Sequence, residues 1–284
     1  MIIQQLHTRP LSLKNDGALE LFFIGVGSAF ASQHHQSNFI IIKGDHHIMV
    51  DFGMTGPTAL AQTAGLKITD IEVLLPSHSH ADHVGGIEAV ALTNRYVGIP
   101  FLKKAKVKMV INEDYQRILW DRTLRGGLEY NEEEITHHRN LSFGDYFDVI
   151  RPLWLQQQPR EIYAVDYGDI HLEIFRTKHV PDTAMGWQES FISYGVFIDG
   201  HVFVSIDTRF DRELIDLYAD RSSVMFHDVQ FFPGGVHSPV MELQTLPKEI
   251  KQKMHLMHYA DNWENIDISD FAGWAQQGVR YIFD

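Results

Sequence analysis

The chain has 284 residues, 44% apolar and 21% charged, enough to bury a substantial core as one large domain or two small ones. A net charge of −13 disfavours nucleic-acid binding, which rests largely on lysine and arginine. The absence of cysteine excludes disulfides and thiolate chemistry, so any bound metal must sit on nitrogen and oxygen. No apolar run reaches the roughly 20 residues of a membrane span, and the polar start lacks a signal-peptide core; both fit a cytoplasmic protein with no membrane partner.

In chain order, LELFFIGVG (19–27), SNFIIIKG (37–44) and HHIMVDFG (46–53) read as strands. PTALAQTAG (57–65) has helical spacing and ends on glycine. IEVLLPS (71–77), with its apolar centre Val73–Leu75, reads as a buried strand, with HSHADH (78–83) at its carboxyl end and a helix from Asp82 onward. Residues 111–127 predict an amphipathic helix stopped by two glycines, and 131–134 a solvated acidic face or helix start. Strands follow over 169–180, 193–207 with a turn at Asp199-Gly200, 223–232 and 253–259, and the end of the chain reads as a helix and then a strand. Strands in both halves with interspersed helices point to an α/β sheet-layered fold, read as one domain over 1–284 with an extra helical segment within about 95–175.

Of the 17 histidines, three lie with an aspartate in HSHADH. In extended chain i and i+2 point the same way, so His78 and His80 can face one ion. Asp82 and His83, where the helix starts, can face a second. Three imidazoles with one carboxylate suit zinc, with manganese or iron as alternatives, and a shared cation offsets the cost of gathering them. The histidines at 34, 35, 46 and 47 read as surface and turn residues. Trp120, Arg122 and Arg125 read as a helix packing its tryptophan inward with solvated arginines.

H-x-H-x-D-H after a buried strand and before Gly-Gly and a helix resembles the signature of the metallo-β-lactamase-fold hydrolases. FRTKHVPD, VFVSIDTRF and MHLMHYADN resemble that family's later motifs in the same order. The resemblance implies a four-layer αββα sandwich and two divalent cations: one on His78, His80 and His179, the other on Asp82, His83 and His258, with Asp207 bridging. His255 is the rival to His258, and alternation along MHLMHY leaves the choice open.

FIGVGSAFASQHHQSNFIII resembles the opening of ribonuclease Z and related phosphodiesterases, which implies substrate roles for Ser28 and Asn38. MFHDVQF resembles the H-E-A-T stretch of that group, implying His227 as proton donor with Asp228 in place of its glutamate. VHSP gives His237 a weaker claim of the same kind. The ribonuclease Z arm for tRNA has no room in the short stretch between His179 and Asp207. The expectation is therefore a phosphodiesterase acting on a small nucleotide-type substrate, a cyclic nucleotide in preference, by attack of a metal-bridging hydroxide, with Asp82, His227 and Asp228 catalytic. Alternatives are a tRNA 3′-end endonuclease, with RNA as partner, a thioester or lactone hydrolase on the same metals, and an inactive metal-binding scaffold. DNA is not expected as a partner. The inserted region is expected to pack in a homodimer.

Overall fold

The computed structural model describes residues 1–283 except 135 and 137. Two eight-stranded sheets form the centre. The first runs, from edge to edge, Ile2–Gln5, Val279–Phe283, Leu19–Gly25, Asn38–Lys43, His46–Val50, Val73–Leu75, Val107–Val110 and Phe147–Ile150. The second runs Leu153–Gln156, Ile162–Tyr167, Ile170–Arg176, Tyr194–Ile198, Val202–Val204, Val224–Asp228, Met254–Met257 and Gly273–Trp274. In each sheet one half pairs antiparallel and the other parallel, with Val50 opposite Leu75 in the first and Val204 opposite Phe226 in the second. Strands such as LELFFIG and VMFHD are buried along their whole length, as sheets covered on both faces require.

The sheets meet face to face through aromatic side chains. Phe23 of the first lies 4.9 Å from Phe226 of the second, and Tyr281 meets Phe226 edge-on at 5.0 Å. Helices cover the outer faces, completing the four-layer metallo-β-lactamase sandwich. Arg212–Ala219, capped by Asp211 accepting from the Leu214 amide, sets Tyr218 against Phe175, Phe197 and Phe203 of the second sheet. On the other side, helical residues 56–64 pack on Leu19–Gly25 and stop at Gly65, whose φ of 69° suits glycine.

Several local expectations need correction. The helix from Glu113 continues as a wider π-type turn and a further turn to Leu128, so Gly126 and Gly127 lie inside it. Glu133–Glu134 pairs with Arg139–Asn140 as a small hairpin rather than starting a helix. The inserted region mixes helix and strand: helical turns up to Leu102, over 113–128 and at Phe143–Tyr146 alternate with Val107–Val110 and the hairpin, and strands follow from Phe147. Among the described residues of 267–278 no helix forms before the last strand; Gly273 and Gly278 take φ of 141° and 75° and turn the chain instead. His47 is buried, its Nε2 accepting from the Glu72 amide. Among the described residues, no helix is long and apolar enough to cross a membrane.

Candidate active site

Strand ends from both sheets converge on one cluster. Val73–Leu75 leads through Ser77 to His78 and His80, and the short helix Ala81–Val84 carries Asp82 and His83. His179 follows Ile170–Arg176, Asp207 follows Val202–Val204, and His258 follows Met254–Met257. Asp51, Ile206 and His258 take φ of 57°, 53° and 60° where their strands stop, turning the chain toward the cluster.

Three imidazoles face one another: His78 Nε2 and His179 Nε2 each lie 3.1 Å from His80 Nδ1. Asp207 Oδ2 lies 3.7 Å from His78 and 3.6 Å from His179. On its other side, Oδ2 lies 3.2 Å from His83 Nε2, and Oδ1 lies 3.6 Å from His258 Nε2. Asp82 Oδ2 is 3.3 Å from His83 Nε2 and 3.2 Å from His258 Nε2. Two donor groups result, His78–His80–His179 and Asp82–His83–His258, with Asp207 common to both, and a third grouping, Asp207–Asp228–His237–His258, adjoins them. Neither carboxylate oxygen of Asp207, nor His83 Nε2, has a hydrogen-bond partner although all are buried. Buried polar atoms are ordinarily paired, and donors facing inward without partners fit divalent cations.

Charge in the cluster is balanced internally. Burial lowers the affinity of His78 and His179 for protons, that of His179 to about 4. His83 is shifted the other way: burial opposes its charge, but Asp207, Asp82 and Asp51 outweigh it. Burial works against ionised Asp207 and Asp82 too, yet the surrounding histidines hold both well below the usual carboxylate range.

Asp51, which the sequence reading passed over, fixes His83. It accepts from the Ser77 amide at 2.7 Å, from Ser77 Oγ at 2.8 Å and from His83 Nδ1 at 2.7 Å, which directs Nε2 into the cluster. Its sequence signal was an aspartate closing the apolar strand HHIMV. Asn38 is buried and ties backbone segments together: it accepts from the Gly53 amide and donates to the carbonyls of Gln36 and Asp82. A Cβ on Gly53 would meet the Asp82 carbonyl oxygen at 1.9 Å, so only glycine lets these segments approach.

His227 does not reach the cluster. Side chains alternate along Val224–Asp228, so Phe226 and Asp228 face the interior between the sheets while His227 faces the helix-covered side. There its ring stacks over Phe203 and its Nδ1 lies 2.8 Å from the Asp228 carbonyl. His237 lies beside the cluster instead. Its Nδ1 is 2.9 Å from Asp228 Oδ2, and its ring lies 4.6 Å from His258 and 5.1 Å from His179. Burial disfavours a charged His237, but Asp228 and Asp207 push it up to about 9. Asp228 is itself positioned by the Thr208 amide. Of the rivals near the chain end, His255 lies between Phe226 and Tyr281 in the core, and His258 is the one at the cluster. Trp120 packs on Phe143, and Arg125 pairs with Glu129, away from the site.

A cavity of 820 Å³ opens beside the cluster, with His237, His258 and Ser28 in its wall. A family model described as Anti-Pycsar protein Apyc1 matches residues 19–281. The chain belongs to this family. An Anti-Pycsar protein Apyc1 of Paenibacillus sp. (strain J14) is 33% identical over 251 residues, 87% of this chain and 92% of the relative. That of Bacillus phage BSP38 is 33% identical over 272 residues, 93% of this chain and 98% of the relative. Among solved structures, the metallo-β-lactamase fold protein YhfI from Bacillus subtilis superposes with a TM-score of 0.65 at 15% identity, covering 93% of this chain and 99% of that one. A diphosphatase of the PhnP family gives 0.62 at 14%, covering 94% and 98%, and the short form of human tRNase Z gives 0.57 at 16%, covering 86% and 94%. These likenesses fix the fold. Membership in the Apyc1 family, together with the donor set, makes the chain a metal-dependent hydrolase.

Proposed function

We propose that the chain is a phosphodiesterase hydrolysing cyclic mononucleotides, with two divalent cations, zinc foremost, on His78, His80, His179 and Asp207 and on Asp82, His83, His258 and Asp207. The observation that carries the reading is the His237–Asp228 pair standing between the cluster and the cavity. A phosphodiester with a ribose leaving group needs a proton donor, whereas acyl transfer to water from a thioester does not. The relatives are named for acting against Pycsar, and the same role is proposed here.

Bound cations supply charge stabilisation to the phosphoryl oxygens and acidify water. Asp82 orients the attacking water as a hydrogen-bond acceptor, its carboxylate kept ionised by His83 and His258. His237 holds Nδ1 against Asp228 and so presents Nε2; from there it protonates the leaving ribose oxygen as the P–O bond breaks. Asp228 keeps the ring in this tautomer and stabilises its positive charge. The stretch between His179 and Asp207, a loop and a tight hairpin, supports a small substrate over tRNA. The acidic chain supports neither DNA nor a membrane as partner. A cytoplasmic homodimer completes the proposal, supported by Leu153, Trp154 and Leu155 exposed on the edge strand of the second sheet.

The test is turnover of cyclic mononucleotides, a tRNA precursor and a thioester by the metal-loaded protein and its variants. His237→Ala is expected to keep its metal and to lose about 10²- to 10⁴-fold in turnover of cyclic nucleotides. It should lose far less on a nitrophenyl phosphodiester, whose leaving group needs no proton. His227→Ala is expected to keep most of its turnover. The opposite pattern, or cleavage of the precursor alone, would overturn the proposal.

A further inference from the structure

Resting on the nucleotide reading above, we propose that Phe30 and Phe232 form the platform on which the nucleobase of the substrate stacks. Both line the cavity whose inner end is His237 and His258. Phe30 is 96% exposed and Phe232 60% exposed. Single exposed apolar side chains are common, but two phenylalanines at the mouth of one cavity beside a catalytic cluster point to a ligand.

The backbone beneath the rings is held. The Ser28 amide donates to the Tyr259 carbonyl at 3.0 Å, and the Ala31 amide donates back to Ser28 at 3.1 Å. Asp261 accepts from the Ser32 amide and Oγ at 3.0 and 2.6 Å and from the Gln33 amide at 3.0 Å. The Phe232 carbonyl accepts from Gln230 Nε2 at 2.9 Å. Both rings are therefore presented from fixed segments, and neither finds a core to enter.

The charge of the cavity says what should lie on them. No lysine or arginine lines it, and its charged residues beyond the histidines are Asp182 and Asp261. The substrate's phosphate is thus met only at the metal cluster, and a wall without cations suits an uncharged group such as a base on the rest of the ligand. A base on an aromatic ring gains roughly 5- to 150-fold in affinity. Stacking ignores the base edge, so purine and pyrimidine substrates should be accepted alike.

The experiment measures binding of nucleoside 5′-monophosphates and of ribose 5-phosphate to the metal-loaded protein by calorimetry, alongside steady-state kinetics. The wild type should prefer the nucleotide by about 10-fold or more. In Phe30→Ala and Phe232→Ala this preference should shrink several-fold, and KM for cyclic mononucleotides should rise more than kcat falls. Phe30→Trp should restore the preference. An unchanged preference in both alanine variants, or no preference in the wild type, overturns the platform. A preference for the base in a wild type that hydrolyses no cyclic mononucleotide would uphold the platform and sink the catalytic proposal instead.

Discussion

Replacing Asp51 by asparagine tests whether the cluster is wired as its hydrogen bonds imply. The amide keeps the size of the carboxylate, and its oxygen can still accept from the Ser77 amide. The NH2 group, however, takes the place of the oxygen that now accepts from Ser77 Oγ and His83 Nδ1. A donor there requires a bare Nδ1, so His83 must carry its proton on Nε2. That nitrogen faces Asp82 at 3.3 Å and Asp207 at 3.2 Å, and once protonated it has no lone pair for a cation. Disturbing such a support of a metal-binding histidine costs about 10- to 100-fold in metal affinity, or about 1.4 to 2.7 kcal/mol. His83 meets Asp51 directly, whereas His78 is reached only through Ser77 Oγ, 3.0 Å from its Nδ1, so the Asp82–His83–His258 group should weaken more than the other. Competition with a chromophoric chelator should show one metal equivalent weakened more than the other. Unchanged affinity for both equivalents, or an equal loss from both, would refute the reasoning.

Phe226→Ala removes the ring that joins the sheets through Phe23 and Tyr281, and the fully buried site predicts a loss of about 3 to 5 kcal/mol. Urea denaturation measures it, and a loss below about 1 kcal/mol would contradict the packing account. Burial lowers His255 to about 4 from an ordinary 6.5. The unfolded chain then binds the proton first, so the stability due to neutral His255 is full above about pH 6.5 and is lost as pH falls toward 4. Between pH 7 and pH 5 the wild type should lose about 2 kcal/mol more than His255→Gln in unfolding free energy; equal losses would refute it.

Much of the site was legible because HSHADH gathers its side chains at the end of a strand and the start of a helix, where alternation alone sends His78 and His80 to one side. The more distant donors His179, Asp207 and His258 needed only to end strands in the right order. What failed was sidedness. MFHDVQF offers His227 and Asp228 as neighbours, but strand alternation sends them to opposite faces, and the partner of Asp228 arrives from a loop nine positions on. His255 and His258 could not be separated by alternation because the positive φ of His258 breaks the strand period. The final segment has helix-like spacing, yet its glycines and the burial of Ala275 against the second sheet prevail over propensity. The strand Ile2–Gln5 is polar in half its residues and exists through its pairing with Val279–Phe283, a partner no local reading could reveal.

The left-handed turn at Ile206 bears on how this enzyme can change. A β-branched residue is ill suited to that conformation, and glycine would relieve it. The same stiffness aims the next side chain, Asp207, at both donor groups. A search for heat resistance alone would welcome Ile206→Gly, whereas a search for turnover would discard it. Gains in robustness that spare catalysis should therefore come from the outer helices and the sheet edges, leaving the turns at Asp51, Ile206 and His258 untouched.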